Sequence, residues 1–141
     1  GKDNYTYLLL GDGESQEGQV WEAALFAAQH KLSHLIAFTD YNKCQIDGTI
    51  SEVCELGDLA GKYEAFGWYA QSVDGHDVEQ ISEAIHKAKQ QGERPSMIVL
   101  NTVKGKGVSL AEGKVGSHNM PVTREQMDQA MAELDSQLAA L

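Results

Sequence analysis

Tyr5-Thr6-Tyr7-Leu8-Leu9-Leu10-Gly11-Asp12-Gly13 decides the fold. An apolar run stops on an aspartate set between two glycines. The last four residues of the run do not alternate with polar ones, so residues 5–10 are expected to form a strand buried on both faces. Downstream, residues 17–32 carry a helical pattern. Val20, Ala23, Ala24, Ala27 and Ala28 share one face, and Trp21, Leu25 and Leu32 make a second apolar stripe. That leaves a thin polar face and predicts a helix buried on two sides. Leu35-Ile36-Ala37-Phe38-Thr39-Asp40 reads as a second strand. Asp58 is placed to cap a short helix running to Phe66 and closed by Gly67. Residues 68–73 give a third strand. Asp77-Val78-Glu79-Gln80 has the spacing of a capping box for a helix to about Gln91, with Gly92 ending it. Ser96-Met97-Ile98-Val99-Leu100 is a fourth strand, and residues 102–119 are a Gly- and Lys-rich loop of functional length. Thr123-Arg124-Glu125-Gln126 is a second capping box. It opens a last helix with Met127, Met131, Leu134, Leu138 and Leu141 on one side.

Strands alternating with helices predict an α/β domain, a doubly wound and mostly parallel sheet with helices on both faces. The 141 residues are expected to form one domain. Its first strand lies within a few residues of the chain start, although such a strand needs neighbours on both edges. A domain truncated at its N-terminus, part of something longer, is therefore expected. Eleven basic against 21 acidic residues give a formal charge of −10. A chain so acidic lacks the basic footprint of a nucleic-acid or anionic-membrane binder. No apolar run approaches the roughly 20 residues of a membrane span. Gly1-Lys2-Asp3-Asn4-Tyr5 lacks the layout of a signal peptide. Cys44 and Cys54 show no CxxC spacing and read as reduced thiols of a cytoplasmic protein.

In open α/β sheets ligands bind beyond the carboxyl ends of the strands. Asp12 follows the first strand there and Asn42 follows the second, 30 residues on. Parallel neighbours would bring both to one edge. A single carboxylate, an amide oxygen and a backbone carbonyl form a hard-oxygen set suited to Mg²⁺, which lets substrate phosphates supply further ligands. The glycines let the backbone approach a diphosphate closely. A metal would also reconcile phosphate binding with the net charge of −10. Taken singly, Gly-Asp-Gly is a turn and Asn42 a loop residue; their pairing after two strands carries the reading.

Gly11-Asp12-Gly13 with Asn42 at this spacing resembles the thiamine-diphosphate fingerprint. The intervening text is more specific. Gly11-Asp12-Gly13-Glu14-Ser15-Gln16-Glu17-Gly18-Gln19-Val20-Trp21-Glu22-Ala23-Ala24 and Asp40-Tyr41-Asn42-Lys43-Cys44-Gln45-Ile46-Asp47-Gly48 are similar to transketolases. So is Lys104-Gly105-Lys106-Gly107-Val108 with His118 downstream. The likeness runs along nearly the whole chain and is nearest to separately encoded amino-terminal transketolase subunits of prokaryotes.

The resemblance implies a cytoplasmic enzyme that moves a two-carbon ketol unit between sugar phosphates, as in the pentose phosphate pathway. It implies thiamine diphosphate and Mg²⁺ as cofactors, with Ca²⁺ able to substitute. Asp12 and Asn42 would bind the metal by side chain and Cys44 by its carbonyl. Gly11, Gly13 and Asn42 would line the diphosphate, and Ile46 would pack on the thiazolium. Lys104 matches a diphosphate-facing lysine of part of the family. His118 matches a histidine near the diphosphate and the reacting carbons. The family has His-Gly with a proline soon after, whereas this chain has His118-Asn119-Met120-Pro121. Glu17 is expected in the first turn of its helix, where the dipole favours a carboxylate. The family puts this glutamate at a subunit interface, in a proton network. His30, His34 and His86 read as surface or helix-end residues, His76 as a loop or helix-start residue, and Cys54 as a small buried hydrophobe.

The resemblance does not extend to a pyrimidine-binding domain with its activating glutamate, nor to the upstream histidine and glycine motifs of the diphosphate domain. The expectation is half an active site, silent without a pyrimidine-binding or carboxy-terminal partner domain or subunit, in a homo- or hetero-oligomer such as a dimer. Two enzyme alternatives share the fingerprint: the decarboxylase component of a 2-oxo-acid dehydrogenase complex, and deoxyxylulose-phosphate synthase. Both generally lack Gln16-Glu17-Gly18 in this context. A non-catalytic, doubly wound binding module fits composition and periodicity equally well.

Overall fold

A computed structural model describes residues 3–140 of the chain. Gly1, Lys2 and Leu141, on which parts of the sequence reading fall, lie outside the described residues. The strands are β1 (Thr6–Gly11), β2 (Leu35–Tyr41), β3 (Cys44–Gln45), β4 (Gly48–Thr49), β5 (Tyr69–Asp74) and β6 (Ser96–Asn101). The helices are α1 (Gly18–Gln29), α2 (Ile50–Val53), α3 (Leu59–Ala65), α4 (Val78–Gln91) and α5 (Arg124–Leu138). β1, β2, β6 and β5 form one sheet in that order, all parallel. β3 and β4 pair as a small antiparallel hairpin.

The alternation of side chains along the central strands separates two cores. Ala37, Met97 and Val99 face α1 and α3, where Ala24, Ala27, Leu59, Tyr63 and Trp68 are buried. Ile36 and Ile98 face the other way, onto Ala84 and Ala88 of α4. Alanines at both helix contacts let the helices sit close to the sheet. The Trp68 indole N–H donates to the Ala24 carbonyl at 2.9 Å, fixing α1 to the start of β5. Ser96 to Val99 of β6 are all buried, as a strand covered on both faces should be. The caps follow the sequence pattern closely. Asp58 accepts from Gly61 N, and Thr123 with Gln126 makes a reciprocal capping box on α5. Asp77 caps α4. Gln80, however, does not return to the cap backbone. Its amide donates to Asp77 Oδ2 and its oxygen accepts the Asp74 N–H.

Three expectations about burial are overturned. β1 is an edge strand rather than a buried one, with Leu9 65% exposed and Tyr7 and Leu8 also exposed. It pairs with β2 on one side only, and among the described residues nothing covers its other edge. α1 ends at Gln29, short of the expected residue 32, and is buried on one face, through Ala24 and Ala27, while Ala23, Leu25 and Phe26 are exposed, Phe26 by 60%; Leu32, beyond its end, is exposed too. Trp21 does not belong to the exposed stripe. Its ring packs 5.2 Å from Tyr63 and 5.5 Å from Phe66, centroid to centroid. The exposed large apolar side chains of α5, Met127, Met131, Leu134 and Leu138, lie on its predicted apolar side. Cys54 is exposed, not buried. The hairpin and α2 were not expected, because two-residue strands and a four-residue helix carry no periodicity to read.

Trp21→Glu is therefore expected to destabilise the fold itself, by about 3 kcal/mol or more, since a large aromatic contact is lost and a carboxylate enters it. Leu25→Glu should stay within about 0.5 kcal/mol, being exposed. Urea unfolding of the two variants distinguishes the faces of α1. Tyr63 is 1% exposed, and its hydroxyl has no hydrogen-bond partner among the described residues. Burial pushes its phenol up to about 12 from 10.0. A phenol raised on folding favours the native state below pH 10, and that contribution is lost between pH 10 and about 12. Tyr63→Phe should raise the melting temperature at pH 7, because an unsatisfied buried hydroxyl costs about 1–3 kcal/mol. It should also lessen the alkaline loss of stability.

Candidate diphosphate and metal site

The parallel register lines up the strand exits. Gly11 of β1 stands opposite Asp40 of β2, Asp40 opposite Leu100 of β6, and Asn101 opposite Asp74 of β5. The residues that follow each strand, Asp12, Asn42, Thr102 and Gly75, therefore share one edge. A cleft of about 550 Å³ opens there. Gly11, Asp12, Gly13, Glu17, Asn42, Cys44, Ile46, Lys104 and His118 all line it, with Glu14, Asp40, Gln45 and Asp47. Every residue singled out from the sequence for metal, cofactor or proton chemistry is among them.

Asp12 is 2% exposed. Its Oδ1 accepts the Gly13 N–H at 2.8 Å and its Oδ2 the Lys43 N–H at 2.6 Å. Burial raises its carboxyl above the usual aspartate value, the two backbone donors oppose the rise, and the nearby Asp40 charge adds to it. Accepting Lys43 N accompanies a left-handed backbone at Lys43, with φ of 65°, an uncommon conformation for a residue with a side chain. Asn42 sits in the same turn. Its Oδ1 accepts the Cys44 N–H at 3.0 Å and its Nδ2 donates to Asp40 Oδ2 at 2.9 Å. A carboxylate only accepts, so Asp40 fixes which end of the Asn42 amide is the oxygen. The other Asp40 oxygen takes the Thr102 hydroxyl, tying β2 to the β6 exit.

Asp12 and Asp40 thus put two carboxylates close together, and among the described residues no lysine or arginine forms an ion pair with either. A cation fits that imbalance. The donors on offer, one buried carboxylate, one amide oxygen and nearby carbonyls, suit a hard ion such as Mg²⁺. No cluster of three or more His, Cys, Asp or Glu side chains converges among the described residues. Gly13 lets the Gln45 side chain pack against its backbone at the cleft. A Cβ there would lie 2.9 Å from Gln45 Oε1 and 3.1 Å from Gln45 Cβ. Across the cleft, Lys104 Nζ lies 3.3 Å from His118 Nδ1. Lysine has only donors, so His118 Nδ1 accepts and the ring hydrogen sits on Nε2. The Nε2–H is left for a ligand.

Glu17 is the residue before the first turn of α1 rather than within it, exposed and with no capping hydrogen bond from its side chain. Ile46 is 71% exposed at the tip of the hairpin. His30 and His86 are exposed on or beside helices, as expected, and His34 stacks on Tyr5 with ring centroids 4.5 Å apart. Sequence reasoning passed over Asp40, Thr102 and Gln45. Asp40 had a legible signal, because its place two residues before Asn42 puts it on the same edge.

Residues 2–138 match the family described as the transketolase thiamine diphosphate binding domain. A 6-deoxy-6-sulfo-D-fructose transketolase subunit, SqwG, of Clostridium sp. (strain MSTE9) is 54% identical over 134 residues, 95% of this chain and 49% of that protein. An apulose-4-phosphate transketolase subunit from Phocaeicola vulgatus is 37% identical, over 99% of this chain and 50% of its own length. The transketolase of Campylobacter jejuni superposes with a TM-score of 0.86 at 34% identity, covering 93% of this chain and 20% of that one. The fold and the strand-edge cleft define a doubly wound α/β ligand-binding domain. The chain belongs to the transketolase family, as part of its thiamine-diphosphate-binding domain. It spans about half the length of the two bacterial subunits.

Proposed function

We propose that this chain supplies the diphosphate- and metal-binding half of a transketolase active site, which moves a two-carbon ketol unit from a ketose phosphate to an aldose phosphate. The observation that carries the reading is the cation-deficient pair Asp12 and Asp40 in a cleft that also holds Lys104 and His118. Thiamine diphosphate, when bound, supplies the carbanion chemistry, and the protein binds and orients it.

Asp12, Asn42 and the Cys44 carbonyl would hold Mg²⁺, or Ca²⁺ in its place, against the diphosphate. Gly11 and Gly13 add no side chain of their own where phosphate oxygens would approach. Lys104 adds a positive charge where the metal alone leaves the diphosphate under-neutralised. Ile46 offers an apolar surface for the thiazolium. His118, with hydrogen on Nε2, can donate to a substrate or diphosphate oxygen and take part in proton movement. Glu17 stands at the rim, where a proton network through a second subunit would enter. A pyrimidine-binding partner domain or subunit would close the cleft, and the exposed apolar residues of β1 and α1 offer it or a second copy a surface. Cys44 and Cys54, both free, accord with a cytoplasmic setting. No helix among the described residues is long and apolar enough to cross a membrane. Ketol transfer of this kind serves pentose phosphate interconversion. The relatives' names differ in substrate: a 6-deoxy-6-sulfo-D-fructose transketolase subunit and an apulose-4-phosphate transketolase subunit. The relatives reported above are transketolases, and nothing favours the decarboxylase or binding-module readings.

Isothermal titration of thiamine diphosphate into the assembled protein tests this. Binding should require Mg²⁺. Asp12→Ala, which removes the only carboxylate among the proposed ligands, should weaken it by at least about 100-fold, the upper range for losses of supporting groups around a metal. Unchanged Mg²⁺-dependent binding in Asp12→Ala refutes the assignment. The chain by itself should show no ketol transfer, and steady-state turnover by the isolated chain would contradict the half-site reading.

A further inference from the structure

β5 and β6 run side by side, and their exits press together. Gly75 N donates to the Asn101 carbonyl at 2.9 Å. A Cβ on Gly75 would lie 3.0 Å from Leu100 Cβ and 3.1 Å from Asn101 O, so only glycine permits this approach. The next residue, His76, is held by its own N–H on Asp74 Oδ1 at 2.9 Å. Its imidazole turns onto the β6 exit, where Nε2 accepts the Val103 N–H at 2.8 Å. A ring nitrogen that accepts an N–H keeps its lone pair, which makes this imidazole neutral with its hydrogen on Nδ1. Val103 stands between Thr102, anchored on Asp40, and Lys104 of the cleft. Beyond it the turn is fastened once more, by Gly113 N donating to the Lys104 carbonyl at 2.8 Å. His76 is thus a side-chain clamp on the backbone that aims Lys104.

We propose that His76 is a positioning residue for diphosphate binding: through the Val103 N–H it holds the β6 exit so that the Lys104 ammonium faces the cleft. The proposal rests on reading Lys104 as diphosphate-facing. His76 need not touch the cofactor. Its effect should appear in affinity and only while Lys104 is present.

The experiment is a double-mutant cycle on the fully assembled protein, reading thiamine diphosphate affinity in saturating Mg²⁺ and hydrogen exchange at the Val103 amide. His76→Ala should weaken affinity by about three- to tenfold, within the span that a net hydrogen-bond contribution of about 0.5–1.5 kcal/mol gives, and should speed Val103 exchange. His76→Gln, whose amide oxygen reaches as far as Nε2, should restore both. In a Lys104→Ala background, itself weakened, His76→Ala should cost less than twofold more, because coupled residues do not add. Unchanged affinity in Lys104→Ala overturns the reading of that lysine. Weakening by Lys104→Ala without weakening by His76→Ala overturns the clamp. So does failure of glutamine to rescue, or full additivity of the two losses. His76 is exposed, so these substitutions are expected to leave the fold intact.

Discussion

A buried carboxylate held by two backbone N–H groups, and among the described residues paired with no basic side chain, governs the arrangement of this domain. Asp12 must leave β1 at the level where β2 ends, because its second oxygen takes the Lys43 N–H. That contact asks Lys43 for a left-handed backbone, which turns the chain sharply enough for Asn42 to swing back onto Asp40. Asp40 in turn reaches the β6 exit through Thr102. One anion thereby organises the ends of three strands. The same desolvation that makes Asp12 costly in isolation makes a divalent cation welcome there, since charge interactions strengthen as water is removed.

The elements with a strong local signal were legible before any coordinates. Asp58, Asp77 and Thr123 mark helix starts because short polar side chains compete for free N–H groups, and each does cap its helix. The glycine-flanked Asp12 and Asn42 were readable as a shared edge because parallel pairing fixes where strand ends fall. What failed was burial. Leu8 and Leu9 have the composition of a core strand, yet composition cannot tell which neighbours are present to cover it, and in this sheet β1 pairs on one side only. Trp21 was misassigned for a related reason. Helical spacing puts it beside Leu25, but the ring is long enough to reach Tyr63 and Phe66 on α3. The role of His76 was invisible for a third reason: it acts across the sheet, on a residue 27 positions away, and no short window of sequence contains both partners.

The cleft also separates two kinds of precision. Asp12, Asn42 and Gly13 are set by strand ends and tight turns, where few conformations are open. Lys104 and His118 come from the long segment between β6 and α5, pinned at intervals by Glu112 on Gly107 N and Glu133 on Ser109 N. Those glutamates are held below their usual range by the same hydrogen bonds, first Gly107 N for Glu112 and the Ser109 hydroxyl for Glu133. One wall of the cleft is thus fixed by strand ends and the other by hydrogen bonds along a long connecting segment.

β1 carries a further consequence for how such a chain is handled in the cell and in the laboratory. Among the described residues nothing pairs with its outer edge, beside which Leu9 is exposed, and an open apolar edge is a template for strand addition. Whatever segment or partner lies along β1 in the assembled protein then does more than extend a sheet: it withdraws that row of amides from unwanted pairing, so that solubility and assembly share one strand.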